Sequence, residues 1–122
     1  MTHSVHEIAG VHAFECAIDG PILRTDRDAI DVLSEARSAN AQLTIIPVER
    51  LDPEIFSLKT RLAAEFLQKF VTYGMRIAIM GEIPAQFLQS VPLRAFVLEC
   101  NRGRDIWFVG SHQELKERLL QE

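Results

Sequence analysis

Two hydroxyls and a lysine stand close together at Ser57, Lys59 and Thr60, inside the stretch Leu51–Arg61. Hydroxyls at the start of a helix can take a phosphate or position an anion, because the first backbone N–H groups of a helix point outward unpaired. Lys59 and Arg61 would complement such a charge. The plainer account makes Ser57 a cap, Thr60 a first-turn residue and the two cations part of a solvated face. A second set begins with Glu82, expected at the end of a strand, where catalytic carboxylates often sit. With Ser57, Lys59 and Arg94 it frames a candidate pocket. Asn101 and Arg102, with Arg104 just beyond Gly103, can meet a phosphate or a partner's carboxylate. Cations at a helix C-terminus also simply suit its dipole.

No residue is assigned a catalytic role. Glu82 has no second titratable group predictable beside it, so acid–base work lacks a pair. Cys100 falls on an inward stripe, the position of an inert core thiol. Cys16 and Cys100 are far apart and lack metal spacing, and both are expected to be reduced. His3, His6 and His12 lie near the N-terminus. His6 and His12 can approach across a hairpin, but no acidic or thiol partner is assigned to them. They are taken as solvent-facing edge residues, with no metal and no cofactor. A glycine-rich phosphate loop, a Ser/His/Asp order and zinc spacing are all missing from the sequence.

The elements that must position these residues begin with the stretch Ser57 to Glu82. Leu58, Leu62, Phe66, Phe70 and Tyr73 recur at helical spacing, widened by Ala63 and Leu67. The spacing predicts a helix from Leu58, stopped by a left-handed Gly74. A buried strand follows at Met75–Met80. Upstream, Val5–Ala9 and Val11–Ile18 flank Gly10 and predict an antiparallel hairpin. Thr25 caps a helix with the stripe Ala29, Ile30, Leu33 and Ala36, ending near Asn40. Gln42–Val48 is a strand, and Pro53–Phe56 a single turn opened by Asp52. Pro84 marks a connection with a short turn near Ala85–Leu88. Ser90 and Pro92 open a helix with Leu93, Phe96, Val97 and Cys100 inward, ended by Gly103 in the left-handed region. Asp105–Val109 is the last strand. Ser111 and Glu114 form a capping box for a final helix docked by Leu115, Leu119 and Leu120. The order β-β-α-β-α-β-α-β-α predicts one α/β domain over residues 1–122, its sheet mostly parallel with an antiparallel N-terminal hairpin.

The segments Leu58-Lys59-Thr60, Glu65 to Phe70, Ile77 to Gly81 and Glu99 to Gly103 resemble the bacterial family called domain of unknown function 4180. The resemblance spans nearly the whole chain. Family members tend to carry Gly after the LKT segment, where this chain has Arg61. The family implies a fold and no established activity. The element order is also similar to the STAS domain of anti-sigma-factor antagonists. That likeness implies a phosphorylatable Ser or Thr at a helix start after the middle strand, a place matched here by Thr60 through topology alone.

The 122 residues are 48% hydrophobic and 25% charged, with formal net charge −4. This is an ordinary globular balance, and the negative sign disfavours non-specific nucleic-acid binding. No apolar run reaches the ~18 residues of a membrane span. MTHSVHEIAG lacks the basic and apolar regions of a secretory leader, so a cytoplasmic location is expected. The expectation is a non-catalytic STAS-like regulatory or protein-interaction domain, with the Leu51–Arg61 stretch as its working surface and possible switching by phosphorylation. The alternative is a small enzyme or anion sensor with its pocket at the carboxyl ends of the strands. A homodimer is also expected, through an edge strand and the apolar side chains of Val11, Phe14, Ile18, Trp107 and Phe108.

Overall fold

The computed structural model describes residues 3–57 and 61–122. Ser4–Ile8 (β1) and Val11–Glu15 (β2) form the expected antiparallel hairpin. Its tight turn places both Ala9 (φ 50°) and Gly10 (φ 81°) in the left-handed region, as the hairpin turn that matches strand twist requires. Asp26–Ser38 (α1), Leu43–Pro47 (β3), Leu62–Thr72 (α2), Arg76–Met80 (β4), Val91–Arg102 (α3), Ile106–Val109 (β5) and His112–Leu120 (α4) then alternate. The sheet order is β1-β2-β3-β4-β5, with every pair after the hairpin parallel.

That sequential order decides where the helices lie. Each right-handed crossover moves one strand in the same direction, so the crossover helices fall on one face. Ala29, Leu33 and Ala36 of α1, Phe66 and Phe70 of α2, and Leu93 of α3 share one core with Phe14, Ile46, Ile77 and Ile79. The alternate strand residues Ala13, Leu43, Ile45, Ala78, Met80, Trp107 and Val109 point the other way. There they pack with Leu115 and Leu119 of α4. The strand order never reverses, so this sheet has no topological switch point of the kind that opens a ligand crevice in doubly wound folds.

Local chemistry sets the helix ends. Thr25 Oγ1 accepts the Asp28 N–H at 3.2 Å, while Asp28 Oδ2 accepts from Thr25 and Arg24 N–H at 3.0 and 2.8 Å. The bond from the Thr25 backbone is the main reason the Asp28 carboxyl is held below its usual range. At the end of α2, Gly74 N–H donates to Val71 and Met75 N–H to Phe70, at 3.0 and 2.8 Å. With Gly74 at φ 71°, this is the paired-bond stop that glycine at that place permits. Asn40, at φ 59°, closes α1 in the same way.

Several details differ from the sequence expectation. In α1, Ile30 is exposed and Val32 is buried, so the stripe is rotated by about one residue. Tyr73 lies past the end of α2 and is 51% exposed rather than packed. Leu120, the last residue of α4, is exposed. Gly103 caps α3 at φ −87°, ψ −163°, which is extended rather than left-handed. The helix expected from Leu58 is α2, and it begins at Leu62. Its cap is Arg61 at φ 60°. A non-glycine residue there costs roughly 1–2 kcal/mol. This gives a physical reason for glycine at the position where Arg61 departs from the resembled family. Arg61→Gly should raise stability by about 0.5–1 kcal/mol, the relieved strain less the added freedom of the unfolded chain. A urea melt with unchanged slope and a higher midpoint is the expected record.

Candidate functional site

At the carboxyl ends of β4 and β5 the chain leaves an open groove of about 610 Å³. Gly81 to Ala85 form one wall. Leu88, Val97, Phe108, Val109 and Gly110 complete it. Gly81 is there because of its backbone: its φ of 127° is one that side chains rarely adopt, and an added Cβ would stand 3.2 Å from Val48 Cβ. Glu82, which follows, is exposed and is the one titratable residue in the lining. The surface is mainly apolar, with a single carboxylate at its rim.

The residues singled out from sequence do not all meet here. Arg94 is exposed on α3 and is not among the groove's lining residues. Its Nη1 donates to the Leu88 carbonyl at 2.5 Å and braces the turn before the helix. Ser57 closes the turn Pro53–Phe56 and does not cap a long helix; its N–H donates to Glu54 O at 3.0 Å. Lys59 and Thr60 lie outside the described residues. Asn101 is taken up by structure. Its Oδ1 accepts the Phe108 N–H at 2.7 Å and its Nδ2 donates to Phe108 O at 3.3 Å. One amide side chain thereby pairs with both backbone groups of Phe108 on the outer edge of β5. Arg102 is solvated beside Glu99 at 3.5 Å. Arg104 pairs with Glu122 at 2.9 Å, and Arg76 meets the same carboxylate at 3.0 Å.

The apolar set expected to mediate self-association is also dispersed. Phe14 and Trp107 are 4% and 3% exposed, on opposite faces of the sheet. The guanidiniums of Arg76 and Arg118 each lie over the Trp107 ring, 4.6 and 4.4 Å from its centre, and Trp107 Nε1 donates to Gly103 O. Both cysteines are free thiols, and burial pushes Cys16 up to about 11 and raises Cys100 as well; Cys16 is buried, whereas Cys100, expected on the inward stripe, is only partly buried.

Two features escaped the sequence reading. Arg50 is 3% exposed, and its Nε and Nη1 donate to Pro21 O and Ala17 O, both at 2.7 Å. It ties the loop after β2 to the turn after β3. The second is a cluster on the α4 face. Glu15 sits at the end of β2, His6 beside it on β1 and His112 at the first turn of α4. His6 Nε2 is 2.9 Å from Glu15 Oε1, and His112 Nε2 is 2.9 and 2.8 Å from Oε1 and Oε2. His12, by contrast, lies on the other face of the hairpin, with its Nε2 3.1 Å from Ala39 O. The two hairpin histidines therefore do not face each other, and neither is a free edge residue. Only the fold joins Glu15 to a residue 97 positions away. Among the described residues no group of three or more His, Cys, Asp or Glu could hold a metal ion. No described helix is long and apolar enough to cross a membrane.

These observations define a small α/β domain, wound in one direction, with a mainly apolar groove at the carboxyl ends of its last two parallel strands. The family model Domain of unknown function (DUF4180) matches residues 8–119, and the chain belongs to that family. Among curated proteins and among solved structures, nothing matches this chain.

Proposed function

We propose that this chain is a non-catalytic protein-interaction domain of a regulatory, STAS-like kind, and that it recognises its partner through the outer face of α3 and the adjoining groove. The observation that carries this reading is an apolar stripe facing solvent. Val91, Ala95 and Leu98 recur at i, i+4 and i+7 on α3 and are exposed, Val91 by 64% and Leu98 by 58%. The same helix turns Leu93, Phe96 and Val97 toward the core. A surface helix needs one apolar face, so a second one fits a surface that another protein covers. Exposed Leu88 extends the stripe to the groove.

Leu98→Asp should leave stability within about 0.5 kcal/mol, because the side chain is solvated in the free domain. In the native cell, the same change should remove the proteins that co-purify with wild type. Equal co-purification by both forms would count against this surface. A second copy is one candidate occupant, and light scattering of wild type at the monomer mass would remove it. Switching at Ser57 or Thr60 belongs to the same proposal, because hydroxyls near a helix start are suited to carry phosphate. Intact mass of protein from its own cells reads any phosphate directly.

A small-molecule sensor is the second reading. The groove volume of about 610 Å³ lies within the roughly 300–1,000 Å³ of ligand sites. A thermal-shift screen with nucleotides, sugar phosphates and carboxylates tests it, because a ligand of the native state raises the melting temperature.

A further inference from the structure

We propose that an arginine-lined groove at the amino ends of β4 and β5 binds a small dicarboxylate, and that the side chain of Glu122 holds one of its two acid positions in the free protein. The groove is open, about 440 Å³ in volume, and lined by Gly103, Arg104, Trp107, Arg118, Gln121 and Glu122. That volume falls within the roughly 300–1,000 Å³ of ligand sites. Arg76 opens β4 and Arg104 stands just before β5. The site is therefore at the opposite end of the sheet from the groove beside α3, and it stands independently of the interaction reading.

The carboxylate of Glu122 shows how an acid is held there. Arg76 Nη1 and Nη2 donate to its Oε1 and Oε2 at 3.0 and 3.1 Å, the parallel fork that suits a guanidinium and a carboxylate. Arg104 Nε donates to Oε2 at 2.9 Å. Arg118 brings a third guanidinium to the lining. Its Nη2 donates to the Asn101 carbonyl, and among the described residues no carboxylate pairs with it. The Trp107 ring carries both Arg76 and Arg118 and so holds these two cations in place. Three cations share one acid, and a ligand with two acid groups balances their charge better than Glu122 alone. One group takes the fork of Arg76 and Arg104, and the other meets Arg118. Glu122 is placed to give way. It lies beyond the last residue of α4, and its N–H reaches Leu119 O only at 3.4 Å. While it fills the fork it competes with any incoming acid, which lowers the apparent affinity by the fraction of time the fork stands free.

The test is calorimetric titration of the full chain with glutarate, in a low-salt buffer free of other carboxylates and of phosphate. Acetate and sulfate serve as comparison anions. One glutarate per chain is expected. Glu122→Ala removes the competitor and should tighten binding, by about tenfold if the fork is filled nine-tenths of the time. Adding Arg104→Gln or Arg76→Gln to that variant should weaken binding at least about tenfold, the scale of a lost bond to a charged group. Urea melts confirm that each variant is folded, and Arg104, with a side chain 76% exposed, is the safer of the two to change. Absence of glutarate binding by folded Glu122→Ala would overturn the proposal. So would equal affinity with and without the two arginine changes, or acetate or sulfate binding as tightly as glutarate. Equal affinity in wild type and Glu122→Ala would overturn the role given to Glu122.

Discussion

Phe70→Ala will lower the stability of this domain by roughly 3–5 kcal/mol. Phe70 has no exposed surface, and its ring lies 5.8 Å from that of Phe66 on the same side of α2. Both pack against β4 through Ile77 and Ile79 in the core shared with α1 and α3. Removing the ring loses its transfer energy and leaves a cavity that three layers of side chains cannot close. The loss is a large part of the ~5–15 kcal/mol typical of a whole domain. The neighbouring Lys69→Ala should cost about 0.5 kcal/mol or less. Its ammonium stands 3.8 Å from Asp26 of α1, with the side chains 36% and 57% exposed, and solvated pairs contribute little. Urea melts of the two variants should therefore separate widely. Coincident midpoints would mean that the buried face of α2 is misassigned.

Arg50→Ala is expected to cost roughly 2–4 kcal/mol. The guanidinium makes two charge-assisted bonds to the Ala17 and Pro21 carbonyls, and leaving such acceptors without a donor costs about 1–3 kcal/mol each. The loop they fix also pairs through backbone, Leu23 N–H to Arg50 O at 2.7 Å and Asp52 N–H to Leu23 O at 2.9 Å. Arg50→Met keeps most of the packed stem and none of the donors. Arg50→Lys keeps the charge but cannot fork to two carbonyls. If hydrogen bonding is the cause, both variants should fall well below wild type, with Lys the milder. A methionine variant as stable as wild type would assign the role of Arg50 to packing alone.

Patterns that repeat within one element were readable before the structure. The spacing of Leu62, Phe66 and Phe70 sets the buried face of α2, and Gly74 stops it where a left-handed residue is needed. The order of turns and caps also led to the observed order of strands and helices. Features that depend on a distant partner were not readable. Asn101 looks like a turn residue until β5 is seen to end its pairing beside α3. Arg50 looks like a surface cation until the loop of residues 17–21 folds over it. Glu15 and His112 meet because α4 crosses back over the sheet, and no local spacing records that path. The groove residues were legible in part. Glu82 follows directly from the end of β4, whereas the place of Ser57 and Arg94 depends on loops whose course the periodicity does not describe.

The exposed stripe on α3 was not foreseen, because the same residues satisfy a helix pattern whichever side the sheet takes. The proposed function rests on that stripe. The most direct measurement places a photo-crosslinking amino acid at position 98 on α3, and as a control at position 117, exposed on α4, in the chain expressed in its own cells. The interaction account predicts a discrete crosslinked species from position 98, none from 117, and loss of the species when Val91→Asp is added. Irradiation that yields no adduct at 98, or the same adducts at both positions, would contradict it.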